Sequence, residues 1–218
     1  MGNKIHIYFV PGLAASSKIF EHIRMPKDKY ELHFLEWLSP ESKSETLEHY
    51  SKRLANQIIH KNPILVGVSF GGMIVQELSK FVATRKIIVI SSIKNNHEMP
   101  RHFIILQRTR FYKLFPSGRI SKMNGFPTYG LSRPLKRKLE LYNKYLAVRD
   151  KIYLDWAIYN VLHWKTNKLL DNIIHIHGSK DEVFPIKNIK NSIIIEGGTH
   201  AMIITKAKKI SLTIEEVI

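Results

Sequence analysis

The spacing of apolar positions changes along this chain, and the changes divide it. Residues 5–10 (IHIYFV) form a short, nearly continuous apolar run that stops at Pro11-Gly12-Leu13-Ala14, as a buried strand does. Ser16 and Ser17 then stand where they can cap a helix carrying Ile19, Phe20 and Ile23. Residues 30–37 alternate enough to read as a second strand. Between 44 and 60, Leu47, Tyr50, Leu54 and Ile58 recur near helical spacing, with Ser44, Leu47 and Glu48 at the start. Residues 64–66 make a third strand, 73–81 a helix, and 86–91 (KIIVIS) a fourth strand. Strands alternating with helices in this way predict an α/β fold, a parallel sheet with helices on both faces.

From about 94 to 170 the alternation stops. Residues 101–115 carry Phe103, Ile104, Phe111, Leu114 and Phe115 in a helical pattern that ends at Pro116-Ser117-Gly118, and 119–131, with Asn124-Gly125 and Pro127, read as irregular. Ser132 and Pro134 open another helix bearing Leu135, Leu139, Tyr142 and Leu146, and a last one spans about 150–164. Strands then return at 172–178 and 192–196, and 201–217 reads as a closing helix. The reading is six strands in a single domain over 1–218, with a helical insertion at 94–170 between the fourth and fifth strands.

The third strand passes into its helix through Gly67-Val68-Ser69-Phe70-Gly71. A serine at the crest of such a strand-to-helix turn is held in a strained backbone conformation with its hydroxyl exposed above the sheet edge. A Cβ in place of either glycine would collide with the neighbouring strand or helix. This stretch resembles the nucleophile elbow of the α/β-hydrolase superfamily. Two later loops extend the resemblance: His177-Gly178-Ser179-Lys180-Asp181-Glu182-Val183-Phe184-Pro185 after one strand, and Gly197-Gly198-Thr199-His200 after the next. Their order, serine then carboxylate then histidine, is the order in which that fold supplies a nucleophile, an orienting acid and a base.

The resemblance implies a three-layer α/β-hydrolase fold of about six mainly parallel strands, with a helical lid inserted after the fourth. It carries over Ser69 as nucleophile, Asp181 as acid and His200 as base, with Glu182 and Glu98 as weaker candidates for the acid. It also implies an oxyanion hole formed by the amides of Phe70 and Leu13, the latter in a Pro11-Gly12-Leu13 loop that resembles the family's His-Gly-x loop with proline in place of histidine. The chain departs from larger members by beginning at the strand before that loop, without the antiparallel strands that usually precede it.

Composition narrows the chemistry. There are no cysteines, so disulfides, thiolate metal sites and cysteine nucleophiles are excluded. No P-loop, G-x-G-x-x-G, H-E-x-x-H or calcium loop is present, and His175 and His177 alternate on a strand without a carboxylate cluster. No cofactor and no metal are expected. The start of the chain lacks a signal-peptide run and a myristoylation signal, and no apolar run reaches the roughly 20 residues of a membrane span, so a cytoplasmic location is expected.

The formal charge is +16, and residues 94–170 hold 16 basic against four acidic side chains, +12 of that total. Such a lid favours an anionic or carrier-linked acyl substrate. Its aromatic residues, among them Phe103, Phe126, Tyr129, Tyr153 and Trp156, either line an acyl pocket or pack the lid on the core. The expected activity is hydrolysis of a carboxylic ester or thioester through an acyl-enzyme. A non-catalytic ligand-binding protein on the same fold is the alternative. Nucleic acid, favoured by charge alone, is not expected as a partner, and the sequence leaves the oligomeric state open.

Overall fold

The computed structural model describes residues 4–122, 125, 130, 132–166 and 170–218. Six apolar runs pair as one sheet: β1 (Ile5–Val10), β2 (Tyr30–Phe34), β3 (Ile64–Val68), β4 (Lys86–Ile90), β5 (Ile173–Gly178) and β6 (Ile193–Ile195). The strands lie in the order β2-β1-β3-β4-β5-β6, and every neighbouring pair is parallel. The register sets Phe9 beside Val66, Val66 beside Ile88 and Val89 beside His175. Because the chain leaves β1 toward one edge and β3 toward the other, the carboxyl ends of these two strands form the switch point at which open α/β sheets place their sites.

Side chains alternate across the sheet, and both faces are covered. Tyr8, Val10, Leu65, Ile87 and Val89 pack beneath α1 (Leu47–Ala55) and α2 (Phe70–Leu78). Ile7, Phe9, Val66, Ile88, Ile90 and Ile176 face the opposite way, with Ile210 and Ile214 of the closing helix. Burial on both faces explains why β3 and β4 read as unbroken apolar runs.

Between β4 and β5 the chain leaves the sheet for α3 (Arg101–Thr109), α4 (Ser117–Ile120), α5 (Arg133–Tyr145) and α6 (Lys151–His163). The last of these fastens the insertion: Tyr153, Leu154, Trp156 and Ala157 are buried, and Trp156 Nε1 donates to the Glu45 carbonyl at 2.8 Å. Trp164, just beyond α6, donates to Glu77 Oε1 at 2.9 Å. By contrast, α3 buries none of its residues. Asn124, Phe126, Pro127, Tyr129 and Lys168 lie outside the described residues. None of the helices among the described residues is long and apolar enough to cross a membrane.

Several boundaries differ from the sequence reading. The expected helix at Ser16–Ile23 is a single 3-10 turn, Ser17–Phe20; Ser16 does not cap it, and the Ser17 amide is taken instead by the Glu36 carboxylate. The cap of α1 is Thr46, whose Oγ1 accepts from the His49 amide at 3.1 Å, and the helix ends at Ala55. The run over 101–115 breaks at Arg110, whose φ is +60°, into α3 and a 3-10 turn at Phe111–Leu114. The closing helix divides at Lys206 into α7 (Met202–Thr205) and α8 (Ala207–Val217). The β-branched Ile203-Ile204-Thr205 run weakens helix propensity at that point.

Strand β5 brings two histidines inside. His175 and His177 are buried on the same face, two residues apart, and His175 Nε2 lies 3.1 Å from His177 Nδ1. Burial pushes both imidazoles below the ordinary histidine value, His175 well below it; the His177 charge lowers His175 further, while the Phe184 carbonyl and the Asp181 charge partly restore His177. An unfolded histidine titrates near pH 6.5, so below that value the unfolded chain binds protons that the folded chain refuses, and stability falls as pH falls. The thermal midpoint should therefore decline from about pH 7.5 to about pH 5.5, a window in which histidines rather than carboxylates titrate. In His175→Gln the decline should be shallower. A flat wild-type profile, or equal slopes in the two proteins, would refute this account.

Candidate active site

The switch point is occupied by Ser69. The residue closes β3 and precedes the first residue of α2, with φ +54° and ψ −118°, a region that costs a non-glycine residue about 1–3 kcal/mol. Three hydrogen bonds hold it there. Its amide donates to the Ile90 carbonyl at 2.9 Å, and its carbonyl accepts from the Gly72 amide at 2.9 Å and from Ser92 Oγ at 2.6 Å. The turn also needs its glycines: a Cβ on Gly67 would stand 2.1 Å from the Gly71 carbonyl oxygen, and one on Gly71 would stand 2.3 Å from the Val10 and Pro11 carbonyls. An N-terminal serine ordinarily caps its helix with its own hydroxyl. The Ser69 hydroxyl makes no such bond and lies instead 3.0 Å from His200 Nε2.

His200 reaches that position from the loop after β6, and Asp181 from the loop after β5. The two loops are tied together by the Lys180 amide donating to the Gly198 carbonyl at 2.8 Å. His200 Nδ1 is 2.9 Å from Asp181 Oδ2, and Asp181 Oδ1 accepts from the amides of Val183 and Phe184, each at 2.9 Å. A carboxylate only accepts, so His200 carries its proton on Nδ1 and presents a bare Nε2 to the serine hydroxyl. Burial pushes the Asp181 carboxyl up, but the hydrogen bond and charge of His200, with the Phe184 amide, outweigh it and leave the group below its ordinary value. Asp181 is thus a carboxylate inside the protein, hydrogen-bonded to one edge of the His200 imidazole.

Sequence reasoning read His177 as a plain strand residue. In the structure its Nε2 donates to the Phe184 carbonyl at 2.8 Å and lies 3.7 Å from Asp181 Oδ2, so it braces the turn that aims the carboxylate. Ser92, the lock on the Ser69 carbonyl, was also missed; nothing in the Ser91-Ser92 pair after a strand announces that role. The two weaker carboxylates lie elsewhere in role. Glu98 is buried and accepts from the amides of Lys94 and Lys190 at 2.7 and 3.2 Å, while Glu182 is exposed.

Phe70 and the Pro11-Gly12-Leu13 turn both adjoin Ser69. Phe70 is the first residue of α2, so its N–H precedes the first intrahelical bond. The Pro11-Gly12-Leu13 turn runs directly against the serine: a Cβ on Gly12 would stand 3.5 Å from Ser69 Cβ. Trp37 Nε1 fastens this turn by donating to the Gly12 and Ala15 carbonyls at 3.2 and 3.0 Å. Trp37 also stacks on Phe70 with 5.3 Å between ring centres and meets Tyr153 of α6 at 5.6 Å, so an aromatic wall closes this side. On the other side Phe103 of α3 meets Phe184 at 5.6 Å, and Phe184 meets the His200 ring at 5.7 Å. Beyond it a cleft of about 420 Å³ opens among Pro100, Arg101, His102, Pro185, Lys187 and Asn188.

Comparison with known proteins agrees with this architecture. The sequence matches no protein-family model and no curated protein. Solved structures do match along the whole chain. A lipase-esterase related protein from Clostridium acetobutylicum is 21% identical, with all of this chain and 97% of that one covered and a TM-score of 0.64. A thermophilic esterase from Thermogutta terrifontis is 13% identical, with 99% and 90% covered and a TM-score of 0.65. An epoxide hydrolase from Bacillus megaterium is 13% identical, with 99% and 94% covered and a TM-score of 0.68. With six parallel strands in this order, an excursion after the fourth, and such likeness from end to end, the chain has the α/β-hydrolase fold.

Proposed function

We propose that this chain is a serine hydrolase that cleaves a carboxylic ester or thioester through an acyl-enzyme on Ser69. One observation carries the reading: a single imidazole, His200, lies 3.0 Å from the Ser69 hydroxyl through Nε2 and 2.9 Å from the buried Asp181 carboxylate through Nδ1. A serine hydroxyl is a weak nucleophile until a base removes its proton, and the carboxylate fixes the base in the tautomer that can do so.

The steps follow from those contacts. As Ser69 Oγ attacks the substrate carbonyl carbon, its proton passes to His200 Nε2, and Asp181 stabilises the imidazolium. The carbonyl oxygen becomes an oxyanion and accepts from the amides of Phe70 and Leu13, each donor of this kind contributing roughly 10²–10³ in rate. Collapse expels the alcohol or thiol, which takes the proton from His200. Water then gives a proton to His200 and attacks the acyl carbon, and a second collapse returns the proton to Ser69 and releases the carboxylic acid.

The cationic margin of the neighbouring cleft, Arg101 and Lys187, both exposed, supports an acyl substrate that carries a negative charge on its carrier or tail. The same epitope suits a carrier-linked thioester.

Ser69→Ala should lower turnover of a p-nitrophenyl ester by about 10⁴-fold or more and abolish labelling by a fluorophosphonate, and Asp181→Asn should cost roughly 10³–10⁴-fold with the fold intact. Wild-type protein that binds such esters yet turns them over no faster than Ser69→Ala would instead make this a ligand-binding protein. For the charge preference, the pair Arg101→Glu and Lys187→Glu should raise KM for an anionic ester by about fivefold, the ceiling for one exposed ion pair, and leave a neutral ester of equal length unchanged. Equal shifts for both esters would remove the anionic preference.

A further inference from the structure

At the opposite end of the sheet, three histidines meet that no part of the Ser69 site uses. His6 lies early in β1, His33 on the neighbouring β2, and His60 in the connection between α1 and β3. The parallel register sets Tyr8 beside His33 and His6 beside Glu31, so His6, Tyr8, His33 and Glu31 share one face at the sheet edge. His60 comes down onto that face and stacks on His6, with 3.5 Å between ring centres. One nitrogen from each of the three rings lies within 4.8 Å of the other two, and all three residues are half-buried. His6 Nδ1 and His33 Nε2 are 3.0 Å apart.

Imidazole nitrogens bound to one zinc ion stand about 2.0–2.1 Å from it, which places them roughly 3.3 Å from one another in a tetrahedron. The His6–His33 pair is near that separation already, and His60, carried on a connection rather than a strand, completes the set. The His60 ring now lies nearly parallel to that of His6, 11° between planes, and must turn out of this stack to aim Nε2 at an ion shared with His6. The Tyr8 hydroxyl holds His60 Nδ1 at 2.6 Å and accepts from the Ile59 amide at 3.3 Å, the kind of outer contact that orients metal-binding imidazoles. A carboxylate stands ready as well: Glu31 Oε2 is 3.8 Å from His6 Nδ1. A cleft of about 640 Å³, bordered by His6 and His60, gives solvent access to the cluster.

A second group of possible ligands, Glu41, Glu45 and His49, does not compare. There the Arg53 guanidinium already takes both oxygens of the buried Glu45 carboxylate, at 2.8 and 2.9 Å, and occupies the place a cation would fill. No cation among the described side chains plays that part for the histidine trio.

We propose that His6, His33 and His60 bind one divalent transition-metal ion of the zinc class, with the Glu31 carboxylate or water as fourth ligand. Three neutral imidazoles with an oxygen donor suit Zn²⁺ and its neighbours and do not suit Mg²⁺ or Ca²⁺. The ion clamps edge strand β2 and the connection at 59–62 onto β1. It lies on the outer edge of the sheet, between β2 and the start of β1, and shares no residue with the Ser69 site, so it stands or falls separately from the hydrolase reading.

The test uses the full untagged chain, stripped of metal by chelation. Zn²⁺ is titrated against a chromophoric chelator of micromolar affinity, and Co²⁺ serves as a spectroscopic substitute. The expected result is one Zn²⁺ per chain, four-coordinate visible bands with Co²⁺, and an unfolding midpoint raised by Zn²⁺. His33→Gln and His60→Gln should weaken binding by about 100-fold or more and Tyr8→Phe by about tenfold, while His49→Gln binds as wild type. The proposal is overturned if folded wild type takes up no stoichiometric Zn²⁺, or if His60→Gln and Tyr8→Phe bind it as wild type does. His60 lies in a connection and Tyr8→Phe removes a single oxygen, so these two decide the matter even where His33→Gln fails to fold.

Discussion

A strained peptide at Ser69 governs the geometry of the whole carboxyl edge of the sheet. With φ at +54° the chain cannot continue as strand and cannot yet be helix, so it turns sharply and lifts one side chain clear of both. That turn is possible only because α2 comes down almost onto the ends of β1 and β3, at a distance where any side chain on Gly67 or Gly71 would strike backbone. The strain is small beside what opposes it. A hydrogen bond to the Ile90 carbonyl, others from Gly72 and Ser92, and a helix whose residues are all buried hold the peptide in place. Relaxing Ser69 would mean moving α2, and α2 is packed against both α1 and the sheet.

Much of this was legible in the sequence, and the parts that were not have a common reason. Strands β1 and β4 and the order of the elements follow from apolar runs bounded by turn residues, because burial on both faces leaves no polar alternation to confuse them. The start of α2 is three residues earlier than its periodicity announces, since Gly71-Gly72 reads as a loop, and glycine is there for close approach rather than for turning. Ser69, Asp181 and His200 were visible because each follows its own strand in a motif. His177 and Ser92 were not, because what makes them matter is a carbonyl supplied by another loop. The same limit hid the histidine trio: its members are 27 residues apart along the chain, and only the β1–β2 register and the descent of residue 60 join them.

The basic insertion shows how charge and packing divide their work. It is fastened through aromatic and carbonyl contacts: Trp156 on the Glu45 carbonyl, Trp164 on Glu77, the Tyr145 hydroxyl on Glu21 at 2.6 Å, and the Val148 amide on the Ala14 carbonyl at 3.0 Å. Among the described residues, cations that fasten it in this way include Lys144 on Glu21 and Lys94 on the Lys190 and Asn191 carbonyls. The insertion carries a formal +12 over 94–170, and that charge acts as a field beyond these bonds. A field of that kind acts over about 8–10 Å at physiological salt, enough to reach the edge of the cleft that Arg101 and Lys187 border.

A parallel sheet has two unlike ends, and this chain has built on both. At the carboxyl ends, amides just past the strands still bond across, Ser69 to Ile90, Ser91 to Ile176 and Ser179 to Ile195, and so fix the loops. Those loops bring a hydroxyl, an imidazole and a carboxylate from three separate strands into one line, with Phe184 and Trp37 keeping the surroundings apolar. The Asp181 charge falls first on His200, at 2.9 Å, and more weakly on His177, at 3.7 Å. At the amino half the edge strand β2 has a neighbour on one side only, and its outer side chains meet water. An edge of this kind needs covering. Apolar cover would have extended the core past β2, but the chain places aromatic nitrogen heterocycles and a phenol there instead. Rings of that type pack as apolar bodies while keeping their nitrogens within 4.8 Å of one another, which gains little for a core and leaves ligand atoms at the sheet edge.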